Sequence, residues 1–190
     1  MNSYHGVAGH HLQIKPTTPI VYHPNKGNIM NALSTLPRLP QGFQTIAGVL
    51  QIPAKLHALS WNERALTWED FLRFVAQEGI VLTEQRIPGD DGRYFIYQGK
   101  PHITLAPHLW GINRLLTAFH ELGHYLLHDP RHIGPEDVEQ AEIEADIISI
   151  CAVIPRQQVE TFTRQRAVEP FYSSRYLLRL RQGLVEHYGL

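Results

Sequence analysis

The residues best placed to do chemistry are His120, Glu121 and His124, in the run His120-Glu121-Leu122-Gly123-His124. This is an H-E-x-x-H pattern. A helix turns about 100° per residue, so His124 lies about 40° round from His120 and one turn further along. Glu121 lies about 100° from His120, in the same sector. Two imidazoles one turn apart can share one metal ion. The carboxylate beside them can reach a water at that ion without binding the ion itself. That is the chemical content of the zinc-peptidase motif. Leu115, Leu116, Phe119, Leu122, Leu126 and Leu127 fill the rest of the stretch, so the helix is expected to be largely buried. A buried His or Glu needs a partner. The competing reading is two core histidines held by ordinary hydrogen bonds.

Two histidines and a water leave tetrahedral zinc one ligand short. The helical run from Pro135 to Ala152 carries Glu136, Asp137, Glu139, Glu142, Glu144 and Asp146. Ile143, Ile147, Ile150 and Ile154 form one apolar stripe. Glu142 and Asp146 share a flank of it, one turn apart, with small Ala145 and Ser149 beside them. Glu142 is the expected third ligand. Asp146 is the expected carboxylate behind the ligands, orienting a histidine through its other ring nitrogen. Glu139 and Glu144 stay open as alternative ligands, with Glu144 expected to point to water. His128 lies about 12 Å along a straight helix from His120, too far for the same ion. It is expected behind the ligands or as a cation at the helix end. Candidates for a second oxyanion donor are His102, His108, Tyr97 and Arg114.

The run from His120 to His128, then Glu142-Ile143-Glu144-Ala145-Asp146, then Ile154-Pro155, resembles the ImmA/IrrE metallopeptidase family. The family pattern is roughly H-E-L-G-H-x-L-L-H, then E-x-E-A-[ND]-x-F-A, then Met-Pro. The resemblance covers about residues 61–190. It implies a gluzincin-like zincin with zinc on His120, His124 and Glu142, and with Glu121 as the catalytic acid–base group. It also implies a specific protein substrate such as a transcriptional repressor, in the setting of mobile elements, stress responses or toxin–antitoxin pairs. Two positions depart from the family: Ile148-Ser149 stands for Phe-Ala, and Val153-Ile154-Pro155 for Leu-Met-Pro. Both are packing positions and point to a divergent branch.

These residues need a scaffold. Thr67-Trp68-Glu69-Asp70 is close to a capping box and opens a helix to about Glu78, stopped by Gly79. Strands are expected over Ile80–Arg86, Arg93–Gln98 and His102–Leu105, separated by the Pro88–Gly92 turn cluster and a tight turn at Gln98-Gly99-Lys100. Residues near Tyr94 to Leu105 are candidates for an edge that pairs with an extended peptide. Pro155 can open a helix to about Arg166, and Ser173 can cap a last helix from Ser174 to Tyr188. In that helix Leu177, Leu178, Leu180, Leu184 and Val185 make the core face, with Arg175, Arg179 and Arg181 as a solvated one. The expected fold class is α+β, zincin-like: a mostly helical body with a small sheet of about three strands.

The chain divides by composition. Residues 1–60 hold six of the thirteen prolines, no Asp or Glu, and a charge of +4 from Lys15, Lys26, Arg38 and Lys55. With −1 overall, the rest carries −5. An irregular basic extension over 1–60 and a metallopeptidase domain over 61–190 are expected. Short elements at Asn28–Leu36 and Thr45–Ile52 are conceivable. His5, His10, His11 and His23 match no compact metal site. One cysteine, Cys151, excludes an internal disulfide framework and fits a reducing cytoplasm. No 18-residue apolar run and no leader pattern point to a membrane or to secretion. The near-neutral charge argues against direct nucleic-acid binding, and oligomeric state is not readable. Three other readings compete: a zinc-containing protein-binding module with little proteolysis, a peptide deformylase, and a DNA-binding regulator using the basic arm. The deformylase needs an upstream Cys ligand, which this chain lacks.

Overall fold

A computed structural model describes residues 54–134, 137–159 and 172–190. The expected elements at 28–36 and 45–52, the four N-terminal histidines, and the expected Pro155 helix beyond 159 lie outside them. The described elements are α1 (Ala54–Ala58), α2 (Trp68–Gln77), β1 (Val81–Glu84), β2 (Gly92–Tyr97), β3 (Lys100–Leu105), α3 (Gly111–Leu127), α4 (Val138–Val153) and α5 (Tyr172–Tyr188). The fold is α+β, with a three-stranded sheet in the order β1-β3-β2.

Local chemistry accounts for the start of α2 and for the β2–β3 turn. The Thr67 side chain accepts from the Asp70 amide, and Asp70 accepts from the Thr67 amide, which closes the capping box on α2. Such a cap is worth about 1 kcal/mol. β2 and β3 are joined through Gln98 (φ 49°) and Gly99 (φ 74°). Two left-handed residues match the twist of a two-residue hairpin, and glycine takes the second at no steric cost. β2 pairs antiparallel with β3 from Gly92↔Leu105 to Tyr97↔Lys100. β1 pairs parallel with β3, Val81 opposite His102 and Glu84 opposite Leu105. β3 is therefore the central strand. Of the stretch Tyr94–Leu105 expected to offer an edge, β2 alone does so.

The sheet has a helix-facing side and an outer side. Tyr94, Ile103 and Leu105 are buried toward the helices. Phe95 and His102 stack on the outer side with ring centroids 5.1 Å apart. α4 is buried nearly all round, including Ala141, Glu142, Ala145, Ser149 and Cys151. That makes it the central helix rather than a surface one. Burial pushes the Cys151 thiol up to about 12, consistent with a packed, unreactive group. Phe71, Phe119, Leu122, Ile147, Ile148 and Leu184 complete the core. Leu56 and Leu59, which composition grouped with the N-terminal extension, belong to this core as well. Trp61 Nε1 donates to the Ile148 carbonyl at 2.9 Å, tying that segment to α4.

Two expectations about α5 are corrected. Ser173 lies inside the helix rather than ahead of it. Arg181 is not on a solvated face: it is wholly buried. Its Nε donates to the Ile154 carbonyl at 2.6 Å and one terminal nitrogen to the Leu190 carbonyl at 2.9 Å. The other donates to Asn62 Oδ1. A guanidinium can be buried where several oxygens replace its water. Burial still lowers its pKa.

Candidate metal centre

α3 and α4 pack side by side and build the site between them. α3 presents His120 and His124, and α4 presents Glu142. The two Nε2 atoms are 3.1 Å apart. Glu142 Oε2 lies 3.4 Å from His120 Nε2, and its Oε1 lies 3.1 Å from His124 Nε2. One ligand atom from each of the three residues falls within 4.8 Å of the others. His124 and Glu142 are buried and His120 is nearly so.

The partners behind the ligands decide where the lone pairs point. His120 Nδ1 donates to Asp146 Oδ1 at 2.8 Å, which turns its Nε2 toward His124 and Glu142. His124 Nδ1 lies 3.2 Å from His128 Nδ1. His128 Nε2 donates to Glu144 Oε2 at 2.9 Å, and Gln140 Nε2 donates to the other Glu144 oxygen at 3.0 Å. Glu144, expected to face water, is instead largely buried on His128. Glu139 is exposed in the first turn of α4, away from the cluster.

Several facts fit this cluster to a divalent metal. The donor set is two imidazole nitrogens and a carboxylate, suited to zinc and its neighbours. Glu142 Oε1 is buried yet accepts no hydrogen bond. A buried oxygen left so is costly unless a cation satisfies it. The titration behaviour agrees. Burial pushes His120 down, but the Asp146 and Glu142 carboxylates outweigh it and hold its pKa well above the ordinary value. Burial drives His124 down to about 4, with the His120 and His128 rings adding to it against the Glu142 carboxylate. Burial raises Glu142, but both histidines win and hold it below the usual carboxylate range. The three groups thus hold one proton between them, at the point where a metal can replace it.

Glu121 is buried beside this cluster. A pocket lined by Gly92, Arg93, Tyr94, Glu121, His124 and His128 opens next to it. Gly92, the first residue of β2, is pressed on Glu121: a Cβ there would sit 2.6 Å from Glu121 Oε1. The sheet edge therefore runs up to the general-base candidate.

None of the four oxyanion candidates lines this pocket. His102 is on the outer side of the sheet, against Phe95 and Tyr97. His108 is exposed, 3.3 Å from Asp91. Arg114 pairs with Glu84 and lies 4.1 Å over the Trp68 ring. The pocket instead offers Tyr94, whose hydroxyl burial raises to about 12. Strand alternation carried a signal for Tyr94, since it shares a face with Gly92.

The family described as the IrrE N-terminal-like domain, a peptidase family, matches the chain over residues 75–179, more than half its length. No curated protein matches it.

Proposed function

Since the chain belongs to the IrrE N-terminal-like peptidase family, we propose that it is a zinc-dependent endopeptidase that cleaves a specific regulatory protein, such as a transcriptional repressor. The observation that carries this reading is the meeting of His120 Nε2, His124 Nε2 and the Glu142 carboxylate, with Glu142 Oε1 buried and accepting no hydrogen bond.

His120, His124 and Glu142 would hold the metal. Zinc supplies Lewis acidity there, polarising a carbonyl and lowering the pKa of water. Glu121 is the base: its carboxylate takes the proton of the attacking water and returns it to the leaving amine. Asp146, bonded to His120 Nδ1, holds that ring's tautomer and direction. The outer edge of β2 carries no strand partner among the described residues. An extended peptide added there would run past Glu121, bound by backbone hydrogen bonds and sorted by side-chain pockets. Restriction of cleavage to one partner suits a site reached along a strand edge rather than an open groove. Among the described residues no helix is long and apolar enough to cross a membrane. The buried free thiol of Cys151 suits the cytoplasm.

The test compares wild type, Glu121→Gln, His124→Ala and Glu142→Ala for bound zinc and for cleavage of repressors encoded beside the gene. Wild type should hold one zinc and cleave, and Glu121→Gln should hold zinc without cleaving. Glu142→Ala should lose the metal. Full zinc in Glu142→Ala removes it as a ligand. Zinc without cleavage of any partner, with partner binding intact, replaces the peptidase by a zinc-containing binding module.

A further inference from the structure

His128 and Glu144 neither hold the metal nor act on the substrate in the reading above, yet both are largely buried, with side chains 9% and 12% exposed. α3 ends at Leu127, and His128 leaves the helix with extended backbone (φ −128°, ψ 123°). Its ring does not continue up the helix axis. It folds back against His124, with ring centroids 5.3 Å apart.

The hydrogen-bond directions in this group follow from chemistry. Ionised Glu144 can only accept, so His128 Nε2 carries the proton between them. Gln140 Nε2 also donates to Glu144. A neutral imidazole with a proton on Nε2 has a lone pair on Nδ1. With His124 Nε2 facing the metal, the His124 proton sits on Nδ1, and His128 Nδ1, 3.2 Å away, accepts it. With its proton on Nδ1, His124 presents a lone pair at Nε2, the atom that faces His120 and Glu142.

We propose that Glu144 and His128 form a relay that sets the tautomer and basicity of His124 as a metal ligand, so that the two ligand histidines are each backed by a carboxylate. Asp146 backs His120 directly. Glu144 backs His124 through one intervening imidazole. His128 and Glu144 are positioning residues: they act on the metal through His124. The inference rests on the metal-site reading and adds a second polarising arm to it.

The test measures zinc affinity by chelator competition, with apo melting temperatures as a folding control. His128→Phe keeps ring shape but removes both nitrogens. It should weaken zinc by roughly 10–100-fold, the usual effect of removing a group that orients a ligand. Glu144→Gln should weaken it less. The double variant should be no weaker than His128→Phe, because Glu144 acts only through His128. His128→Asn, which puts an acceptor near the former Nδ1, should recover part of the loss. Ring-nitrogen NMR of zinc-loaded wild type should find the proton on Nδ1 of His124 and on Nε2 of His128, a readout that does not depend on any variant folding. Three results overturn the proposal: unchanged zinc affinity in His128→Phe, effects of the two substitutions that multiply, or a proton on His128 Nδ1. A wild type that takes up no zinc removes the metal-site reading and the relay with it. Normal wild-type affinity that His128→Phe leaves unchanged removes the relay alone.

Discussion

Gly123 touches Ala145 where α3 crosses α4: a Cβ at position 123 would stand 2.9 Å from Ala145 Cα and 3.2 Å from its Cβ. The contact sets the spacing between the helix that carries His120 and His124 and the helix that carries Glu142. The nearest atom is backbone, so no rotamer change relieves it. Gly123→Ala must separate the helices by some tenths of an ångström. Metal–ligand distances tolerate about 0.2 Å. Gly123→Ala is therefore expected to weaken zinc at least roughly 10-fold and to destabilise the fold by about 1–3 kcal/mol through overpacking. Chelator competition and urea unfolding measure the two effects. Adding Ala145→Gly should restore little, because it removes the more distant atom. Full recovery in that double variant would show that the contact is not with the backbone.

A second close approach aims at catalysis rather than metal. A Cβ at Gly92 would lie 2.5 Å from Thr117 Cγ2 and 2.6 Å from Glu121 Oε1. The conflict is one of space, not of φ. Gly92→Ala must move Thr117, Glu121 or the start of β2. A base displaced by about 1 Å costs on the order of 100-fold. The expected outcome is a fall in kcat with zinc content unchanged. Loss of zinc in Gly92→Ala would mean that β2, rather than the α3–α4 contact, holds the metal ligands in place.

The parts legible in the sequence are those set by local periodicity. His120, Glu121 and His124 follow from helical phase, and so do Glu142 and Asp146 on one flank of α4. The strands were bounded by turn residues. What stayed hidden is non-local. That β3 lies between β1 and β2 depends on a parallel pairing across the whole hairpin, which no turn signal announces. Glu144 lies about 200° round α4 from Glu142, so helical phase alone sends it to water. It meets His128 because α3 stops one residue earlier and the ring turns back. Arg181 is different. It stands four residues after Leu177 and three before Leu184, on the apolar face, but the charge of an arginine points to solvent unless buried oxygens meet it.

Arg181 makes the third prediction. Its three donors satisfy the Ile154 and Leu190 carbonyls and Asn62. Truncation leaves buried acceptors without donors, each costing roughly 1–3 kcal/mol. Arg181→Ala should lower stability by about 3 kcal/mol or more, seen as a lower urea midpoint. Arg181→Lys should recover part, since an ammonium can donate to the same oxygens but without the planar fork. Zinc affinity of the folded fraction should not change, because these contacts join α5 to the end of α4 and not to the ligands. An equal loss from Lys and Ala would mean that the planar group itself is what the cavity requires.

The last prediction concerns pH. Asp70 accepts from Arg64 through both oxygens, at 2.7 and 2.9 Å, and from the Thr67 amide at 2.9 Å. The Arg64 hydrogen bonds, against the opposing effect of burial and with help from Thr67, hold its carboxyl well below the usual range. A folded-state pKa below the unfolded value of about 3.9 means that the stabilisation is fully present above that pH. It disappears as the pH falls from there through the folded value, when the protonated acid can no longer accept both forks. Asp70→Asn keeps the shape and removes the charge. At pH 7 it should cost about 1–3 kcal/mol, through the weakened cap and the lost charged hydrogen bonds. Other paired carboxylates also titrate on acidification, so the difference between wild type and variant is the quantity to follow. That difference should be flat from pH 7 down to about 5 and shrink steadily between about 4 and 2. Urea unfolding at each pH measures it. A difference that stays constant down to pH 2 would mean that the loss in the variant does not come from the ionisation of Asp70.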